Sequence, residues 1–188
     1  PVKTFSDFKG MKVRAFGIWA EWLVENGASI VTVPGGEVYT AIQTKLLDAA
    51  AFGSPDAWAG MKMYEVCKYY INPSVIPYDI VEVIMNLKTL NDMPPDLQEV
   101  MHAAARLMNT ELAAMTITTD AGGRKKLAEG GMETIMIPDE ELKAAAEWSW
   151  NRFIGLKGKD PYIDRLIEIY GKARQLHKDY YGPKQLPV

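Results

Sequence analysis

The chain has 188 residues, 48% of them apolar and 24% charged, with 21 Lys and Arg against 24 Asp and Glu for a net charge of −3. That composition is globular and long enough for one large domain or one and a half, able to bury about 70% of its unfolded surface. Without a Lys/Arg cluster it lacks the electrostatic footprint for a phosphate backbone, so nucleic acid is excluded as a partner. Its single cysteine, Cys67, excludes an internal disulfide or a multi-cysteine zinc site. No apolar run approaches the roughly 18 residues of a membrane span, and none opens the chain as a signal sequence would. Pro1 stands where a Met would begin a complete chain, so the start is expected to be a cut.

Short β-like runs alternate with helical patterns at the outset. Residues 12–16 predict a strand, Ile18 to Glu25 a helix stopped by Asn26-Gly27, and Ser29 to Val33 a second strand ended by Pro34. Gly35-Gly36 then opens a helix from Glu37 to Leu47. This order is that of an α/β layer with parallel strands. A short apolar run follows at Asp48 to Phe52, then a turn at Gly53 to Asp56 and a helical stretch from about Trp58 to Tyr69. Ile80 to Met85 predicts a buried strand.

Beyond it the pattern is helical. Pro94-Pro95-Asp96 signals a helix start, and Leu97, Val100, Met101, Ala104, Met108, Leu112 and Met115 continue at three- and four-residue spacing toward Ala121. Gly122-Gly123 and Gly130-Gly131 predict interruptions. Thr134 to Ile137 predicts a short strand, and two helices are expected over 139–153 and 161–180.

Familiar catalytic patterns are absent. No phosphate-cradling glycine loop, nucleophile elbow or His-Glu-x-x-His pair occurs. His102 and His177 sit inside helical patterns and read as structural. Cys67 reads as a small buried hydrophobe, and the ten methionines as packing. Trp148 and Trp150, two apart on a helix, cannot face the same way, so at least one is expected at a surface or interface. Arg124-Lys125-Lys126 reads as a solvated helix face. Arg14, taken alone, is either an arginine paired to a carboxylate at the core edge or an anion site. Its planar, permanently charged guanidinium suits the second role through two parallel hydrogen bonds.

Three segments, read in order, decide between these. Asp7-Phe8-Lys9-Gly10-Met11-Lys12-Val13-Arg14, then residues 35–44 with Asp48, then residues 64–70 continued by Leu90 and residues 94–98, together resemble the solute receptors of tripartite ATP-independent periplasmic (TRAP) transporters. The resemblance implies a periplasmic-binding-protein-like α/β lobe with a mixed sheet, flanking helices and long C-terminal helices. Residues 1–79 and 119–188 would form the second lobe of a bilobal receptor. Residues 80–118 would belong to a first lobe that is largely absent, since whole receptors are about twice an ordinary domain.

By the same resemblance the protein is periplasmic, is not an enzyme, uses no cofactor, and closes on a small organic acid that it hands to the membrane subunits of a TRAP transporter. Arg14 falls on the family's carboxylate-binding arginine. Gly35, Phe52, Trp58, Tyr78 and Asp79 fall on or near the cleft. Where one branch carries a Glu-Trp pair beside a bound cation, this sequence has Ala51-Phe52, so no metal is expected there. Sialic-acid receptors place an asparagine at the Phe52 position, so an apolar or aromatic acid is expected over a sugar acid. The unpartnered strand at Ile80 to Met85 is expected to be covered by the missing N-terminal lobe or a second copy of the chain, and solute binding by the monomer to be below full affinity.

Two further readings stand beside this one. A dimerising protein–protein interaction domain would show no thermal stabilisation by a carboxylate. An enzyme anchoring an anion on Arg14, with Asp48, Asp79 or Glu82 as base, would turn over a 2-oxo or hydroxy acid.

Overall fold

A computed structural model describes residues 1–73 and 83–181. The chain forms two compact units: Pro1–Ala51, Tyr69–Pro77 and Thr134–Val188 in the first, Phe52–Lys68 and Tyr78–Glu133 in the second.

In the first unit, a 3-10 turn at Phe5–Phe8 leads into β1 (Lys12–Arg14), α1 (Gly17–Glu25), β2 (Ser29–Ile30), α2 (Val38–Gln43) and β3 (Ala49–Ala50). The strands form a parallel sheet in the order β2-β1-β3, with Val13 opposite Ile30 on one side and Ala49 on the other. The parallel layer expected from sequence is present. Its strands are shorter than predicted, because the chain leaves the ladder after Ile30 and after Arg14, and α2 ends at Gln43 rather than Leu47. Parallel strands need a helical crossover, which α1 supplies with its buried Leu23.

The first unit's core joins segments more than 100 residues apart in the sequence. Phe5, Phe8, Val13, Ala15 and Leu23 pack with Ile137, Leu142 and Ala145, the last two from α6 (Asp139–Ile154). Phe5 meets Trp19 and Trp22 edge-on at 5.5 and 5.7 Å, and its backbone N–H donates to Glu141 Oε2 at 2.8 Å. Trp148 lies 5.2 Å from Trp22, and Trp150 lies 6.0 Å from Phe153. The two tryptophans thus face different neighbours, and both are half-buried. Two further strands, β4 (Tyr69–Asn72) and β5 (Glu133–Met136), pair with each other, and α7 (Pro161–Tyr181) follows α6.

The Phe5–Phe8 turn is anchored by Asp7, whose Oδ2 accepts from the backbone N–H of Lys3 at 2.8 Å and of Thr4 at 3.0 Å. Those two bonds, Lys3's first, hold its carboxyl below the usual range. A lowered carboxyl contributes stability that is complete above the ordinary value of about 3.9 and disappears as pH falls through the lowered pKa. The gap in Tm between wild type and Asp7→Asn is therefore expected to be present at neutral pH and to close on acidification through that range; a gap that persists there would assign Asp7 an uncharged role.

The second unit centres on α5 (Pro95–Glu129), which runs unbroken for 35 residues through Gly122 and Gly123. Short α3 (Pro55–Gly60) lies on its C-terminal part, with Trp58, Ala59 and Met63 buried near Leu127 and Met132 in the same unit. The stretch read as helical from Trp58 to Tyr69 is instead α3, a 3-10 turn at Met63–Glu65 and the start of β4. Lys62, with φ +54°, breaks the helix between them. Of the predicted strand at Ile80 to Met85, residues 80–82 lie outside the described residues. Val83 to Met85 have no regular structure and Ile84 is 87% exposed, so that part is neither strand nor buried. Short α4 (Leu87–Asn91) precedes α5.

Candidate functional site

Arg14 is the last residue of the central strand, and it is the one charged residue buried among the described residues, at 6% exposure. Its Nε donates to the carbonyl of Val33 at 3.2 Å and its Nη1 to the carbonyl of Ala51 at 2.6 Å. Val33 follows β2 and Ala51 follows β3. The guanidinium therefore spans the carboxyl ends of all three parallel strands, the edge at which open α/β sheets receive ligands.

The guanidinium carbon also lies 4.4 Å from the centre of the Phe16 ring, a cation–π distance. Phe16 is half-exposed, and Gly17 at φ +57° turns the chain directly after it into α1. Burial lowers the Arg14 pKa from its ordinary value, yet a guanidinium remains charged inside proteins. A permanent cation is thus held by carbonyl dipoles and an aromatic face. Such a cation pairs strongly with a carboxylate.

Gly35 is half-buried two residues past Val33, in the 3-10 turn Gly35–Glu37 that leads into α2. Arg14 and Gly35 belong to the first unit, Phe52 and Trp58 to the second. Phe52 and Trp58 meet edge-on, 6.1 Å apart; Trp58 is buried and Phe52 half-buried. Tyr78 and Asp79 lie outside the described residues. Asp48, a candidate base in the enzymatic reading, instead braces the start of β1. Its Oδ2 accepts the Lys12 N–H at 2.8 Å and its N–H donates to the Lys12 carbonyl at 2.8 Å. Glu82 and Asp79, the other candidate bases, are outside the described residues. Cys67 is half-buried, and burial pushes its thiol up, away from the reactive thiolate.

Sequence reading missed three partners of Arg14. The carbonyls of Val33 and Ala51 leave no trace in side-chain patterns. Phe16 does leave one, since residues i and i+2 of an extended segment share a face.

A buried cation at the carboxyl ends of parallel strands is an arrangement that can hold an anionic group, and comparison with known proteins names the family. The profile of the bacterial extracellular solute-binding protein family 7 (DctP) matches residues 1–151, and the chain belongs to that family. It is similar to the monocarboxylate 2-oxoacid-binding periplasmic protein of a Nostoc species, at 25% identity over 93% of this chain and 48% of that protein. Among solved structures, a TRAP periplasmic solute-binding protein of Colwellia psychrerythraea with bound calcium and pyruvate superposes with a TM-score of 0.84 at 20% identity, over 96% of this chain and 56% of the other. One from a Sulfitobacter species with bound β-D-galacturonate gives 0.71 at 22% identity, over 89% and 55%. The chain spans about half the length of the curated relatives it matches.

Proposed function

We propose that this chain carries the carboxylate-binding lobe of an extracytoplasmic receptor that delivers a small organic acid to a TRAP-type membrane transporter. The observation that carries the reading is the buried guanidinium laid across the carboxyl ends of three parallel strands. In this reading residues 1–79 and 119–188 form the second lobe, and residues 80–118 reach into a first lobe supplied by further polypeptide. Arg14 anchors the carboxylate and Gly35 borders it; Phe52, Trp58, Tyr78 and Asp79 are the further solute contacts that the family resemblance implies. The activity is binding, without turnover.

The solute class we favour is a small 2-oxo or otherwise largely apolar monocarboxylate. The edge-on pairing of two aromatic side chains, Phe52 and Trp58, supports it by its apolar character. The Nostoc relative, named for monocarboxylate 2-oxoacids, points the same way. A hard cation such as calcium does not fit at position 51. The Ala51 side chain offers no oxygen, and the Ala51 carbonyl already accepts from a cation at 2.6 Å. Hard cations need several oxygen ligands and gain nothing beside a guanidinium.

Titration calorimetry on the 188-residue chain with pyruvate and with D-galacturonate tests the reading. Binding of pyruvate, weaker than in a whole receptor because half a cleft leaves the ion pair partly in water, unaffected by calcium and lost in Arg14→Lys, is the expected result. Equal binding by Arg14→Lys, or no carboxylate binding at all, would sink it.

A further inference from the structure

Phe16 breaks a local rule. It is the N-cap of α1, a position that favours Ser, Thr, Asp or Asn because a side-chain oxygen there accepts from the first turn, and a phenylalanine supplies no such bond. Its ring takes no part in the buried core of the first unit and stands 52% exposed. A chain that forgoes local stability at one position is expected to answer a functional demand there. The backbone shows what holds the ring in place. Phe16 is extended, at φ −133° and ψ 163°, so it shares a face with Arg14 two residues earlier, while Ala15 between them is buried. Gly17 then turns the chain at φ +57°, where a Cβ would meet nothing within 4 Å, so it is the turn and not crowding that asks for glycine. The Phe16 carbonyl accepts the Ala20 N–H at 3.2 Å. The ring is thus set on ordered backbone with the Arg14 guanidinium carbon 4.4 Å from its centre, and the carbonyls of Val33 and Ala51 fix that guanidinium in turn.

We propose that Phe16 is a specificity-determining residue of the carboxylate site: its exposed side takes the apolar group attached next to the carboxylate, so that the site ranks monocarboxylates by apolar bulk at that position. The inference deepens the reading of Arg14 as the carboxylate anchor and rests on it. Arg14 recognises the charge that all such acids share, and a charge alone cannot tell them apart. An acid paired with the guanidinium carries its next carbons a few ångströms from the carboxylate, the same scale as the separation between the guanidinium and the ring. A hydroxyl brought against that ring would give up water and gain no hydrogen-bond partner. An alkyl or aryl group would gain by leaving water. Both residues belong to the first unit, so this discrimination is built into the same element that binds the charge.

The test is calorimetry on the 188-residue chain with pyruvate and with 4-methyl-2-oxopentanoate, the same 2-oxo acid head bearing a branched alkyl chain. Wild type is expected to prefer the branched acid by about tenfold, the order for a few added carbons partly withdrawn from water. In Phe16→Ala that preference should fall several-fold, whereas Phe16→Leu, which restores apolar bulk, should keep most of it. The ratio of the two affinities is the readout, because a disturbance of the fold or of Arg14 alters both acids alike. A wild type that does not distinguish the acids, or a ratio unmoved in Phe16→Ala, would overturn this inference and leave the anchor reading to Arg14→Lys. Equal loss of both acids in Phe16→Ala would make the ring a brace for Arg14 and would likewise overturn it. Pyruvate binding that survives in Arg14→Lys, or no binding of either acid by wild type, would overturn the anchor reading and this inference with it.

Discussion

Arg14→Ala is expected to lower stability by about 2 kcal/mol and to weaken carboxylate binding by roughly 10- to 150-fold. The stability loss comes from the Val33 and Ala51 carbonyls, which lose the donors that now satisfy them at 3.2 and 2.6 Å. A buried polar group left without its partner costs about 1–3 kcal/mol. Relief of the guanidinium's own desolvation returns part of that, so the net lies below the sum for two carbonyls. The binding loss corresponds to one charge-assisted hydrogen-bonded pair, about 1.5–3 kcal/mol. Denaturant midpoints at constant m measure the first quantity and calorimetry with pyruvate the second. Arg14→Met separates them further: it keeps much of the side-chain volume while removing charge and donors. A variant that unfolds no earlier than wild type would show that the carbonyls find other donors and that this arginine contributes to binding alone.

Gly123→Ala is expected to be worse, at about 3 kcal/mol, and confined to the second unit. A Cβ at position 123 would overlap the backbone of Pro55 and Asp56, where α3 crosses α5. Backbone cannot rotate aside as a side chain can, so the helices must separate, and overpacking of this kind costs about 1–3 kcal/mol or more. Its neighbour provides the control. A Cβ at Gly122 would meet nothing within 4 Å, so Gly122→Ala should gain the helix propensity that glycine forfeits, about 0.5–1 kcal/mol. Hydrogen exchange should show the Gly123→Ala loss in α3 and the adjoining part of α5, with the Phe5–Leu142 core unaffected. Similar melting behaviour for the two alanine variants would mean that α3 is not seated on α5.

The same glycine pair shows where sequence reading stops. Gly122-Gly123 reads as a break because glycine is the poorest residue for a helix interior after proline, yet α5 passes straight through. What demands glycine at 123 is the approach of a segment more than 60 residues earlier, which no local pattern records. The parallel layer was legible because Asn26-Gly27 and Pro34 punctuate it and the strands are rich in apolar and β-branched residues. The strand at Tyr69–Asn72 was not, because the apolar spacing after Trp58 carries a helical reading past Lys62, whose left-handed backbone ends it. Aromatic residues at 69 and 70 and Ile71 were the contrary signal. For the site, Arg14 was legible through the pattern shared with a family, while the carbonyls that hold it depend on register between strands. Phe16 was available from strand alternation and went unused.

The bond from the Phe5 N–H to Glu141 links residues 136 positions apart, and the core around it is filled by residues 2–28 together with Ile137, Leu142 and Ala145. A ribosome delivers Val2, Phe5, Phe8 and Val13 long before Ile137, Leu142 and Ala145 exist to cover them. Until α6 has been synthesised, the sheet that carries Arg14 has only part of its hydrophobic support. Closing a loop of that length costs entropy before any contact repays it, and such topologies fold slowly. The first unit therefore completes its core only after residues 137–145 have emerged, and Phe5 and Phe8, uncovered in the interval, are what a holding chaperone would find.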